Sequence, residues 1–343
     1  MSHIINPHST FTVPSMVPAA VAVAVPLLYN FTTFTFTNAA TTGRIGPTLA
    51  TLLASYNTAA NPWLNNTTYY DVNATFRGYQ LWTVPVSGSY QFQVRGASGG
   101  SANTKGAAAL ITATLNLNQN DKIWIICGQR ANTNIEVGEG GTWVVLSNAG
   151  SVAGSTALIV AGGAGDYSYY GSETSFQTGQ SFSDAQTTDS LNAAVLNAGV
   201  NNPTNPTTSA GGTITTGAST GNPSGGGGFN SNGDFFPTGN QGSGLSFFNG
   251  LYGGMYQATV FDTTTVGGGG FGGGGARNGG YGTGGGGGYT GGSSAGSSGP
   301  TLRRSTGGSS YVIPSATSVT RALATPGAPS ATLVDGQVVV TKV

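Results

Sequence analysis

One cysteine and two histidines occur in 343 residues. Cys127 on its own excludes an internal disulfide framework and a clustered thiolate metal site. His3 and His8 leave little material for imidazole catalysis or zinc chemistry. Charge is equally scarce. Charged residues are 6 % of the chain, against a usual ~25 %. Eleven basic and eleven acidic residues cancel. Such a chain has no electrostatic footprint for nucleic acid or anionic lipid, and it is not disordered through net charge. No Lys or Arg precedes Arg44, so the positive region of a secretion signal is missing. The apolar run from Val17 to Leu28 is broken by Pro18 and Pro26 and falls short of the ~20 residues of a membrane-spanning helix. The expectation is folding in a cytosol without a cleaved signal. The sequons at Asn30, Asn65, Asn66 and Asn73 then read as by-products of an Asn/Thr-rich composition.

Catalytic readings lack parts. Asp121, Glu136 and Glu139 are the candidates for a carboxylate pair, but Asp121 sits in a turn and the glutamates flank a glycine loop. No Gly-Lys-Ser/Thr follows any glycine string, so a phosphate loop is excluded. Cys127 lies in an apolar strand and reads as a core residue. The chain is therefore read as a non-enzyme, with no cofactor and no metal site.

Short strands dominate what is present. Phe31–Thr37, Tyr79–Val84, Tyr90–Val94, Ala107–Leu117, Lys122–Cys127, Thr142–Leu146 and Ala157–Ala161 are apolar or alternating runs. Pro85–Ser89 reads as a hairpin-type turn, and turn signals recur at Asn118–Asp121 and Gly138–Gly141. The tail recovers strand character at Ser310–Ile313 and Gln337–Thr341. Leu49, Leu52, Leu53 and Tyr56 at helical spacing predict one helix over Pro47–Tyr56. The pattern predicts a mostly β protein, an antiparallel sandwich or jelly roll.

Glycine is the second feature. Thirty-five of residues 211–300 are glycine, with runs at Gly267–Gly270, Gly272–Gly275 and Gly284–Gly288. One reading is a flexible linker. The other is an ordered solid. Ordering a backbone residue costs roughly 1–2 kcal/mol, and glycine buries no side chain to offset it. Order then requires nearly every N–H to be paired, at about 0.5–1.5 kcal/mol net each. Extended left-handed helices with three residues per turn and ~3.1 Å rise satisfy this when they lie side by side. Residues 267–275 would span roughly 28 Å in that form. Collagen is excluded, because no Gly-X-Y period exists. Pure glycine runs punctuated by single Phe271, Tyr281 and Tyr289 favour packed helices with aromatic stoppers.

Phe34–Asn38, Thr42–Thr48, Gln80–Pro85, Gly88–Tyr90, Gly96–Gly100, Gly106–Ala108, Gly128-Gln129, Gly140–Val144, Ala161–Gly165, Gly267–Gly275 and Gly284–Tyr289 form an ordered string of motifs. It resembles the large glycine-rich domain of extracellular adhesive proteins. That domain occurs in ectodomains of the anaplastic lymphoma kinase receptor family and in tail-fibre-like adhesins of viruses and phages. The resemblance covers about residues 30–313. It implies a tumour-necrosis-factor-like jelly-roll sandwich carrying a bundle of polyglycine II helices, with connecting loops that contact a host receptor. The chain has no kinase, transmembrane helix or disulfide, and a longer stretch separates Gly165 from Gly267. A viral or microbial setting is therefore expected rather than receptor signalling.

Four regions follow. Residues 1–29 are an apolar Pro/Ala-rich attachment arm. Residues 30–165 form the β sandwich. Residues 166–300 hold Asn/Thr/Gly-rich loops and the glycine-helix bundle. Residues 301–343 complete or extend the sandwich. The scaffold residues are Gly267, Gly268, Gly269, Gly270, Gly272, Gly273, Gly274, Gly275, Gly284, Gly285, Gly286, Gly287 and Gly288. Candidate receptor-binding aromatics are Tyr167, Tyr169, Tyr170, Phe235, Phe236, Phe247, Phe248 and Tyr252. Rings on glycine- and serine-rich loops have the chemistry of antibody paratopes. The competing role for the same rings is to cap the bundle and pack it on the sandwich. Residues 131–276 hold eight acids and no base. They read as solvated loops, or as a surface for a cation or a cationic partner. The expected function is a virion fibre or adhesin-type structural protein attaching to a host surface glycan or protein. The alternative is a capsid-decoration or filament subunit without a receptor. The expected partners are further copies of the chain, as a trimer, and other virion or filament proteins bound through residues 1–29. No nucleic acid and no membrane insertion is expected. The expected location is the virion surface, or else the extracellular space.

Overall fold

The computed structural model describes residues 26–99, 106–132, 137–168, 183–191, 206–214, 224–235, 242–255, 268–277, 282–295, 303–324 and 334–343. Tyr169, Tyr170, Phe236, Gly267, His3, His8 and Glu136 lie outside the described residues, as does most of the arm.

The protein is mostly β, built on two antiparallel sheets. In chain order the strands are β1 (Thr33–Thr37), β2 (Tyr70–Val72), β3 (Gln80–Thr83), β4 (Gly88–Arg95), β5 (Ala109–Leu117), β6 (Lys122–Ile126), β7 (Thr142–Asn148), β8 (Ser151–Ala161), β9 (Tyr167–Ser168), β10 (Ser294–Ala295), β11 (Arg303–Ser305), β12 (Tyr311–Val312), β13 (Thr317–Leu323) and β14 (Gln337–Lys342). One sheet runs β1-β14-β4-β5-β13 and the other β12-β8-β7-β6-β3-β2. A small third sheet joins β10, β11 and β9.

Side-chain alternation explains the five-stranded sheet. In β4, Tyr90, Phe92 and Val94 face the core while Gln91 and Gln93 face water. In β1, Phe34 and Phe36 point inward between Thr33, Thr35 and Thr37. The six-stranded sheet is different. Along β6, Ile123 and Ile125 enter the inter-sheet core with Phe92, Val338 and Trp82. Trp124 and Ile126 enter a second cluster on the opposite face, with Trp143, Val145 and Val160. Both faces are covered, so β6 and β7 carry near-continuous apolar sequence instead of alternation.

The helix forms over Leu49–Ser55. Thr48 takes the N-cap position and its side chain accepts from the Thr51 amide at 3.2 Å, which leaves Pro47 outside. Leu52 buries fully, and Leu49, Leu53 and Tyr56 pack against the inter-sheet core.

One expectation is corrected. Pro85–Ser89 is not a hairpin, because β3 pairs with β2 and β6 whereas β4 pairs with β5 and β14. The segment crosses between the sheets, which brings Trp82 and Tyr90 into edge contact in the shared core with ring centroids 5.6 Å apart. Burial of both rings outweighs local turn chemistry. Five strands went unread. β2 and β11 are three residues each, β9 and β10 two each, and β13 is exposed on both faces and so has no apolar alternation.

The sandwich has two unlike ends. The turns at 85–87, 118–121 and 149–150 close one end. There the described part of the arm is tied down, with Leu28 N donating to the Pro85 carbonyl at 3.1 Å and Gln119 Nε2 to the Pro26 carbonyl at 2.6 Å. At the other end β4, β6 and β8 run into Gly96, Gly128 and Gly162. Among the described residues no helix is long and apolar enough to cross a membrane.

Candidate recognition surface

Glycine-rich segments fill the space beyond the strand ends and over the outer face of the six-stranded sheet. Their hydrogen bonding repeats every three residues. Ser224 and Gly227 donate to Ala276 and Gly273, at 3.1 and 2.7 Å. Gly225 and Gly228 donate to Asp234 and Ser231, at 2.9 and 3.0 Å. Gly226 and Phe229 donate to Gly292 and Tyr289, both at 2.9 Å. Three neighbouring segments are thus addressed in rotation. A β-strand alternates between two. The next segment behaves the same way: Gly285 and Gly288 donate to Ser224 and Gly227, while Gly286 and Tyr289 donate to Thr306 and Ser309.

The spacing leaves no room for side chains. A Cβ at Gly226 would lie 2.1 Å from the Gly286 carbonyl oxygen, and one at Gly285 1.9 Å from that of Gly292. Close approach of this kind brings Cα–H groups against carbonyl oxygens, a weak additional attraction.

Aromatic rings attach this assembly to the sheet. Phe229 stacks on Phe247 with centroids 5.2 Å apart and on Tyr289 at 5.9 Å. Tyr289 stacks on Tyr311 of β12 at 4.1 Å, and Phe247 lies 6.2 Å from Trp143 of β7. The Tyr79 hydroxyl donates to the Phe247 carbonyl at 2.5 Å. Phe271 is fully buried in the same cluster. Burial raises the pKa of Tyr79 well above its ordinary value and that of Tyr289 and Tyr311 more mildly.

The rings lie at the sheet-facing end of the glycine segments. The opposite end is knit by Ser224, Ala276 and Ser294: Ala276 N donates to Ser224 Oγ at 2.7 Å, and Ser294 Oγ to the Ser224 carbonyl at 3.0 Å. Gly242 and Met255 exchange backbone bonds at 3.1 and 2.9 Å beside them.

The candidate aromatics therefore separate. Phe247 is fully buried and Phe248 partly buried, both in the seam against the sheet. Tyr252 is half-buried and its hydroxyl donates to the Thr75 carbonyl at 3.2 Å. Phe235, at the far end, is 50 % exposed. The backbone of Tyr167 pairs with Arg304 in the small sheet. Of the scaffold glycines, 268–270, 272–275 and 284–288 lie in the buried, hydrogen-bonded segments. Phe229, Tyr289 and Tyr311 complete the seam; Phe229 and Tyr289 each end a glycine run and were legible as ring caps, while Tyr311 was read only as part of a strand.

The acids do not assemble. Asp121 accepts from Asn118 N at 2.8 Å within its turn, whereas Glu139 is buried at the glycine end and accepts from Ala131 N at 2.7 Å. Burial raises the Asp184 pKa, opposed by a bond from Ala107 N. Burial also pushes the Cys127 thiol up, which keeps it protonated. Among the described residues no three His, Cys, Asp or Glu side chains gather as a metal site. No protein-family model matches the chain, and no curated protein matches it.

Proposed function

We propose that the chain is a virion-surface fibre or adhesin-type structural protein, which docks through its amino-terminal arm and presents a rigid glycine-rich tip to a host surface. The observation that carries this reading is polarity. The arm joins the sandwich beside the 85–87 and 118–121 turns, while the glycine segments occupy the opposite end. In this reading the sandwich is a tumour-necrosis-factor-like jelly roll and the glycine segments are polyglycine II helices. Two observations support the helices: the three-residue rotation of donors, and φ values outside the left-handed region for Gly225–Gly228 and Gly284–Gly288. The resemblance to glycine-rich adhesive domains points the same way.

A second reading, a decoration or filament subunit without a receptor, draws on one feature. Across the outer face of the five-stranded sheet, Thr35, Val339, Gln93, Thr112 and Thr320 stand in one row. An uncharged row of this kind can be covered by another subunit without desolvating an ion. Immunogold labelling for this chain, with adsorption of the purified protein to intact cells, separates the two. Label at fibre tips with saturable adsorption supports the adhesin. Regular polymers that never adsorb support the structural subunit. Label on neither particles nor filaments removes both.

A further inference from the structure

Arg44 lies in the turn Thr42–Gly46, which enters the flank of the glycine assembly. Its carbonyl accepts from Gly253 N at 2.9 Å and its Nε donates back to the Gly253 carbonyl at 3.1 Å. This two-way grip fixes the guanidinium, and the residue keeps only 8 % of its surface. Among the described residues no carboxylate pairs with it. Its Nη1 and Nη2 form no hydrogen bond there and are not sealed from water. A buried cation is costly unless paired, and burial lowers the pKa of Arg44, opposed by nearby Tyr252. The Arg77 backbone adjoins the same turn: a Cβ at Gly46 would lie 2.5 Å from the Arg77 carbonyl oxygen. The Arg77 side chain is exposed. Tyr252 closes the group through its bond to Thr75.

We infer that this flank binds the anionic group of an acidic surface glycan, with Nη1 and Nη2 of Arg44 on a carboxylate or sulfate, Arg77 as a second charge and the Tyr252 ring as a stacking face. A guanidinium with two free amino groups matches such planar or tetrahedral oxyanions in bidentate fashion. The inference rests on the attachment reading and narrows the receptor to a uronate- or sulfate-bearing polysaccharide.

The test uses the full chain with ¹⁵N-labelled arginine, titrated with glucuronate, galactose 6-sulfate, inorganic sulfate and glucose. The Arg44 side-chain signals, assigned with Arg44→Lys, should shift saturably with at least one sugar acid and not with glucose; the responding arm separates carboxylate from sulfate. Arg77→Gln and Tyr252→Ala change partly or fully exposed side chains, and their amide spectra check the fold. Each should lower retention on immobilised polygalacturonate or sulfated galactan at least tenfold. Silent Arg44 signals, shifts with inorganic sulfate alone, or retention unchanged in both variants overturns the assignment. Cell adsorption with silent Arg44 signals removes this site but leaves the attachment reading. Sugar-acid shifts without cell adsorption do the reverse.

Discussion

At single positions the decisive quantity is the distance from a missing side chain to its neighbour. Gly226→Ala places a methyl 2.1 Å from the Gly286 carbonyl oxygen, and neither backbone can yield without breaking its own hydrogen bonds. The expected loss is about 1–3 kcal/mol or more. At Gly242 the nearest atom to an added Cβ is 3.7 Å away, so Gly242→Ala should stay within about 0.5 kcal/mol. Urea unfolding of the pair measures the contrast. Equal effects would mean that the close contacts do not restrict the chain. Gln80 makes a different point. Its Oε1 accepts from Tyr56 at 2.7 Å and Tyr70 at 3.0 Å, and its Nε2 donates to the Thr37 carbonyl at 3.0 Å. Gln80→Leu takes the acceptor from the buried Tyr70 hydroxyl, whereas the Tyr56 hydroxyl keeps its bonds to Thr37, and the cost is about 1–3 kcal/mol.

Among elements, the seam between the six-stranded sheet and the glycine segments is held by rings, whereas the segments hold one another by amides. Phe247→Ala should therefore cost about 3–5 kcal/mol and act locally. Amide exchange should quicken at Gly225–Gly228 and Gly284–Gly288 while β4, β5 and β14 keep their protection. In the unaltered protein those glycine amides should exchange slowly, because each has a backbone partner except that of Gly284, which is not among the bonds described. Uniformly fast exchange there would remove the mechanical basis for a rigid tip.

For the whole molecule, scarcity of charge sets the response to solvent. The Arg130–Asp335 ion pair, with N···O 3.0 Å, is about one-fifth exposed on each side, and such pairs contribute roughly 0–1 kcal/mol. Thermal midpoints should move by only a few degrees between low salt and about 1 M NaCl. Alkali is the sensitive direction. Burial raises Tyr70, Tyr79 and Cys127 above their ordinary values, so the native state holds these protons after the unfolded chain has released them. Their contribution is complete below about pH 8. It is lost progressively as pH rises through the thiol and phenol range toward the folded values. Asp184, also raised by burial, has the same sign in a lower window: mild acid protonates the native state first and adds stability, which is lost as pH rises through its folded value. Midpoints recorded from pH 4 to 11 check both windows, each of which should show stability falling as pH rises.

Alternation in β1, β4 and β5, the short helix after Pro47, and the inertness of Cys127 were legible because neighbours along the chain decide them. The energetic demand on glycine was legible too: with no side chain to bury, an ordered run must pair its amides. Which segments pair was not. Ser224 meets Ala276, and Gly226 meets Gly292, across more than fifty residues, and no local pattern encodes such partners. Tertiary structure alone sent β3 and β4 to different sheets and buried Phe247 while leaving Phe235 exposed. It alone set Arg44 against Gly253, since burial depends on what the folded chain lays over a residue.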